Sequence, residues 1–484
     1  MLPSIKAESN TNIGKAILAL NKSQVYSTIE RECGNHISLM QEYVKQPSIS
    51  LEDYGVRETA ELTRKYLERA GCKTTLIPTK GYPVVFGHYD ARADKTLLVY
   101  LWYDTQKVLD GWKYPPLEGK VIESGDFPKF IVGRGAFNKC SLISFLGAID
   151  SIRRSGQSVP VNLKFVIEGE EILGSPHLPD FVRENKSLLS DADALIFPRV
   201  TQARNGRVVM SLGGKGMILL DLECSGERWG RGPTKSSVHS SERAWVDSPI
   251  AHLVDALSKL LPSPNYEPQV SALRENVSAP SNDDVELIEV LSREFTLEQL
   301  KVRAGVQRLA YDLPISELLT KYLFNTTLNV TRIESAPGDY VVSNRATAKL
   351  EVRFLPRQEA STIVAGIRKF LDSNGFRDLD LRVRSVINWC KTEKRSPITR
   401  SVIAAYEEFG VVPQVWPHSV ASPPYSIFAS ELGIPTSDGG LGHGGRHHGP
   451  DEYFVIEGGG TGVKGLADCE KSYASILDAF SSMK

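Results

Sequence analysis

No uninterrupted apolar run in this sequence approaches the roughly 20 residues that a membrane-spanning helix needs. Its first residues, MLPSIKAESNTNIGKAILAL, lack the charged-then-apolar layout of a secretory signal. A soluble, cytoplasmic chain is the expectation. CxxC spacing is missing as well. Cys33, Cys72, Cys140, Cys224, Cys390 and Cys469 stand far apart, which argues against a disulfide framework or a thiolate zinc site and leaves buried thiols. No charge sign dominates: 57 Lys and Arg face 58 Asp and Glu, interspersed, for a net charge of -1. That balance offers no basic stripe to nucleic acid and no polybasic patch to a membrane. Internal repeats and low-complexity segments are absent too.

What the chain does have is length and pattern. Its 484 residues, 41% hydrophobic and 24% charged, suffice for two or more domains. The periodicity predicts helices over 25–44 and 56–70, short strands over 73–76 and 82–87, and a buried strand over 96–102. A helix over 140–155, a buried strand over 161–168 and a strand closing at 192–198 continue the series. This alternation reads as α/β, with a mostly parallel central sheet. Beyond about residue 210 the texture changes. A strand at 217–224, a helix at 249–261, a long loop-rich charged stretch to about 315, strands at 326–333, 346–354 and 379–387, and a helix at 360–374 read as an α+β domain. The helical segment 398–409 resumes the first texture. Residues 1–209 and 391–484 thus form one domain, and residues 210–390 an inserted one.

Several segments carry a family resemblance. LVYLWYDTQ with DGWKYPP, GRGAFNKCSLISFLGAI, VNLKFVIEGEEILGSP, VHSS at 238–241, EVRFLP at 351–356 and HHGPDE at 447–452 together resemble the M20 family of zinc peptidases and amidohydrolases. The resemblance implies a catalytic domain interrupted by a lid or dimerisation domain, a homodimer, and cleavage of dipeptides or N-acyl amino acids at two bridged zinc ions. Its ligand set is two His and three carboxylates.

Residue by residue, that ligand set is mostly gone. Trp102 stands at the first His position, and an indole nitrogen donates but does not ligate zinc. His88, in Gly87-His88-Tyr89-Asp90, spells the motif literally but lacks the DGW-x-x-PP continuation and belongs to the preceding strand. Asn138 replaces the bridging Asp, Ile172 the ligating Glu, and Arg199, a permanent cation, the Asp that closes a strand. His448 alone survives. The remaining histidines His36, His177, His252 and His418 do not cluster with acids at ligand spacing. The expectation is a metal-free site with no cofactor. Bound zinc lowers the pKa of water by roughly nine units, about 12 kcal/mol of nucleophile activation, which a lone carboxylate does not recover.

Acid–base groups nevertheless persist. In the resemblance Glu171 takes the general-base position, Asp104 the carboxylate that orients the missing His, and His239 a lid histidine reaching across the dimer to the reacting carbonyl. Arg353 and Asn329 match lid contacts to substrate. Trp102, Asn138, Arg199 and His448 complete the expected substrate-binding set, with Arg199 standing in for lost cationic charge. Burial would raise the Glu171 pKa and a nearby Arg199 would lower it. Cys140, opening the predicted helix, reads as a buried thiol rather than a nucleophile. The function so indicated is metal-independent amide, acyl or proton-transfer chemistry on a small peptide-like or N-acyl amino acid substrate. A catalytically inactive dimeric scaffold and an ordinary zinc dipeptidase are the alternatives.

Overall fold

A computed structural model describes residues 19–335 and 338–484. The N-terminal stretch read for a signal layout lies mostly outside these. Six strands form the central sheet, in the order Lys73–Ile77, Val84–Tyr89, Asn162–Glu168, Thr96–Trp102, Ala194–Pro198, Thr436–Gly439. The last four run parallel and the first two antiparallel. Every residue of Thr96–Trp102 is buried. That fits a strand with helices on both faces, which reads as a continuous apolar run.

The helix Ala136–Arg154 lies almost wholly buried against this sheet. It begins four residues earlier than the apolar period suggested, because Gly135, at φ 79°, starts it. A Cβ at Gly135 would come within 2.5 Å of Thr105, so only glycine allows this close approach. The early start puts Asn138 in the first turn, beside the ends of the strands. Cys140 is fully buried, and burial pushes its thiol well above the usual range. The six cysteines are free thiols.

A second, antiparallel sheet comprises Thr327–Ser335, Arg345–Phe354, Gly216–Ser225 and Asp380–Ile387 in that order. Burial along Gly216–Ser225 and Arg345–Phe354 alternates strictly, giving one face to the helices Pro249–Leu260 and Ala360–Ser373. The two cores are separate. Buried residues of the first come from 20–210 and 390–480, and those of the second from 218–379.

The stretch up to about residue 315, expected as loop-rich, holds the helices Asn282–Glu294 and Leu297–Ala304, and Ile315–Phe324 follows as a third. Two reciprocal capping boxes, Ser281 with Asp284 and Thr296 with Gln299, start the first two. Polar residues that looked like loop composition are the caps that satisfy the free N–H groups of the first turns. Among the described residues no helix is long and apolar enough to cross a membrane.

Candidate active site

The carboxyl ends of the parallel strands gather the candidate residues, as open α/β sheets do. Trp102 pairs with Glu168 in register, and two residues later the chain delivers Asp104. Asp104 is fully buried. Its carboxylate accepts from Ser50 Oγ at 2.8 Å, Glu171 N at 3.2 Å and Ile172 N at 3.1 Å. Burial pushes its pKa up to about 7 against the pull of those hydrogen bonds. The same bonds fix the short 3-10 turn Glu171–Leu173. Among the described residues the Glu171 carboxyl has no hydrogen bond or ion pair. Burial first, and then the negative charge of Asp104, push it up to about 7. Desolvation therefore outweighs any influence of Arg199. Glu171 opens onto a cleft of about 250 Å³, lined also by Ser175, Leu178, Asn388, Ser422 and Ser426.

Trp102 is 7% exposed and stacks on Phe197, with ring centroids 5.2 Å apart and planes 27° from parallel. Tyr100 and Tyr425 extend the aromatic cluster, Tyr425 packing on Phe197 at 5.7 Å and Tyr100 at 6.1 Å. The indole fills volume, and its expected role as a substrate wall is confined to whatever edge remains exposed. Asn138, 5% exposed, donates from Nδ2 to the backbone carbonyls of Trp102 at 3.0 Å and Asp104 at 3.2 Å. Arg199 places Nη1 3.5 Å from Asp438, which also accepts from the Tyr425 hydroxyl at 2.6 Å. The Arg199 guanidinium lies 6.0 Å from the centre of the Phe137 ring.

A dinuclear zinc centre does not fit this donor set. An indole packed on a phenyl ring, a carboxamide donating to two carbonyls, an aliphatic side chain and a guanidinium occupy four of the five positions. Among the described residues no group of three or more His, Cys, Asp or Glu side chains is arranged to hold a metal ion. His88 is excluded by topology. It pairs with Lys164, four residues below the carboxyl end of that strand and so about 13 Å away along it.

The remaining candidates are dispersed. His239 is exposed on the inserted domain, its Nδ1 2.8 Å from Ser241 Oγ, and among the described residues it is not part of the lining of the Glu171 cleft. Neither His239 nor His448 is among the residues that line the cleft of Glu171. His448 is exposed in the segment before Glu452, at φ 62°. Asn329 is exposed on an outer strand opposite Glu351, away from the cleft. Arg353 does reach the site's rim, where Nη1 donates to Ser422 Oγ at 3.0 Å.

Sequence reading passed over Glu168, Ser175 and Tyr425. Glu168 was visible only as the first of an acidic triplet, and nothing in the sequence distinguished a buried carboxyl from a solvated one. It is 2% exposed, and burial pushes it up to about 8.

The fold and several sequences are shared with known proteins. A metallo-carboxypeptidase of the M20 family from Sulfolobus solfataricus superposes with a TM-score of 0.80 at 28% identity, covering 92% of this chain and 99% of its own. The dipeptidase Dug1p of Saccharomyces cerevisiae superposes at 0.74 and 20% identity, covering 96% and 99%. The Cys-Gly metallodipeptidase dug1 of Schizosaccharomyces pombe is 24% identical over 376 residues, 72% of this chain and 74% of its own. The human Beta-Ala-His dipeptidase is 23% identical over 304 residues, 61% and 54% respectively. A family model described as peptidase family M20/M25/M40 matches residues 103–471, and the chain belongs to that family.

Proposed function

We propose that this chain acts on a small peptide-like or N-acyl amino acid substrate by a metal-independent route, with Glu171 as the group that moves a proton. The observation that carries this reading is the Glu171 carboxyl itself. It faces a cleft, has no partner among the described residues, and is poised at about 7, where a carboxyl can both give and take a proton near neutrality. Asp104 holds the turn that aims it and adds to the upward shift.

Trp102, Asn138 and Arg199 bound the same strand ends, and Arg353 reaches the rim through Ser422. In this reading Arg199 supplies positive charge to a substrate anion. Asn329 and His448 are peripheral contacts. His239 serves a partner copy's cleft in a homodimer built through the inserted domain. Its exposure, and its place outside the lining of its own chain's cleft, support that role.

The test is turnover of a panel of dipeptides and N-acyl amino acids by wild type and Glu171→Gln, in chelator and in added zinc. Turnover in chelator that the substitution abolishes supports the reading. Equal inertness of both proteins across the panel, with no ligand raising the melting temperature, sinks it in favour of a binding scaffold. The names of the relatives favour a second reading as a metallodipeptidase. Zinc bound stoichiometrically to protein purified without chelator would establish that one instead.

A further inference from the structure

Loss of metal-activated water leaves open which atom attacks an acyl carbon. A hydroxyl on the wall of the cleft answers the description. Ser175 lines the cleft with Glu171, and its Oγ donates to Glu168 Oε1 at 2.8 Å. The same Glu168 oxygen accepts the hydroxyl of Tyr100, a fully buried residue, at 2.5 Å. Two donors on one buried carboxyl orient it and pull against the burial that nonetheless holds it up at about 8, so its carboxylate form is a strong base for a hydroxyl proton.

The backbone at this point is unusual. Gly174 at φ 87° and Ser175 at φ 52° are both left-handed, a conformation that costs a non-glycine residue on the order of 1 kcal/mol. Ser175 N bonds back to Glu170 O at 2.8 Å, so the turn is held. Its effect is to present a hydroxyl to the cleft with a carboxylate directly behind it. Such strain is found where a side chain must be aimed.

A third group completes the arrangement. Ser426 lines the same cleft, is 1% exposed, and its Oγ has no hydrogen-bond partner among the described residues. An unsatisfied buried hydroxyl costs about 1–3 kcal/mol. An acceptor oxygen arriving in the cleft would relieve it, as the oxygen of a tetrahedral intermediate does.

We propose that Ser175 is a catalytic nucleophile, activated by Glu168, that takes the acyl group of the substrate onto its Oγ. This rests on the reading of Glu171 as the proton carrier. Oγ bonds to the acyl carbon as its proton passes to the Glu168 carboxylate, and Ser426 donates to the developing oxyanion. The C–N bond then breaks, and the amine leaves with the proton of Glu171. Water or a second amine attacks the resulting ester and gives its proton to the Glu171 carboxylate. Oγ departs and recovers its proton from Glu168. Both carboxyls end as they began, and no oxidant, reductant or metal enters.

The experiment is labelling with an alkyl phosphonofluoridate, read by intact mass and peptide mapping. Wild type, Ser175→Gly, Glu168→Gln and Glu171→Gln are compared, with folding checked by circular dichroism. Glycine is the substitution of choice because it tolerates the left-handed turn without strain. We expect one phosphonyl group on Ser175 of wild type and of Glu171→Gln, since fluoride leaves without an acid. Ser175→Gly should carry none, and Glu168→Gln should label about 10²- to 10⁴-fold more slowly, the usual share of a general base. An unlabelled wild type, an adduct elsewhere, or undiminished labelling of Ser175→Gly overturns the nucleophile and leaves Glu171 to its own turnover assay. Labelled Ser175 together with full turnover by Glu171→Gln overturns the Glu171 reading instead.

Discussion

Asn138→Asp restores a residue that the M20 resemblance calls for, yet it should injure this protein. The carboxamide donates to the carbonyls of Trp102 at 3.0 Å and Asp104 at 3.2 Å from a position 5% exposed. A carboxylate donates nothing. Two hydrogen bonds at about 0.5–1.5 kcal/mol each are lost. The new charge then faces two carbonyl oxygens and the buried carboxyl of Asp104, where an uncompensated buried charge costs about 3–5 kcal/mol.

The introduced carboxyl would escape part of that cost by holding a proton. Its folded-state pKa is therefore raised above the unfolded one, so the stability of the variant falls as pH rises through that window. We expect a loss of about 1–2 kcal/mol near pH 5 and about 3–5 kcal/mol near pH 8, out of a typical total of about 5–15 kcal/mol. Urea unfolding followed by circular dichroism at the two pH values measures both. Repeating it with excess zinc tests the metal reasoning, because Trp102, Ile172 and Arg199 give a returning ion nothing to complete its shell. A variant as stable as wild type at both pH values, or one that zinc restores, refutes the account.

Three other outcomes are expected. Glu171→Gln should gain up to about 3 kcal/mol over wild type at pH 8 and almost nothing at pH 4. A carboxyl raised to about 7 gives stability that is present below its unfolded value and lost as pH rises through 7. Equal stability of the two proteins at pH 8 would mean that the carboxyl is not desolvated. Trp102→Ala should cost about 3–5 kcal/mol in denaturant unfolding, as truncation of a buried aromatic does. A cost under about 1 kcal/mol would return the indole to the role of an open substrate wall. Lys139, fully buried with Nζ 3.1 Å from Tyr43 O, is pushed down to about 7 by burial. Between pH 7 and its unfolded value wild type should therefore gain stability relative to Lys139→Met as pH rises, by up to about 1.4 kcal/mol per pH unit. A flat difference between the two proteins would show that the amine keeps its charge when buried.

Legibility followed the kind of signal each residue sends. Thr96–Trp102 was readable end to end, because a strand buried on both faces is an unbroken apolar run. Asn138 was readable by type, but its partners were not. Whether a carboxamide offers its oxygen or its nitrogen depends on carbonyls 34 and 36 residues away in the chain. The helices at 282–304 were missed because their polar caps were taken for loop. Glu168 and Ser175 went unread for a related reason. One acid in a triplet looks solvated until tertiary packing buries it, and a left-handed serine announces itself only in backbone angles. The separation of His239 from Glu171 reflects a residue placed on the inserted domain, outside the lining of its own chain's cleft.

The stacking of Trp102 on Phe197 also bears on what the molecule can become. A histidine restored at 102 would open a void against Phe197 and contribute one donor, still short of the roughly three that a catalytic zinc requires. Each single step back thus pays in stability before it gains an ion. Aromatic packing at this strand end therefore resists, one substitution at a time, any change toward a metal ligand.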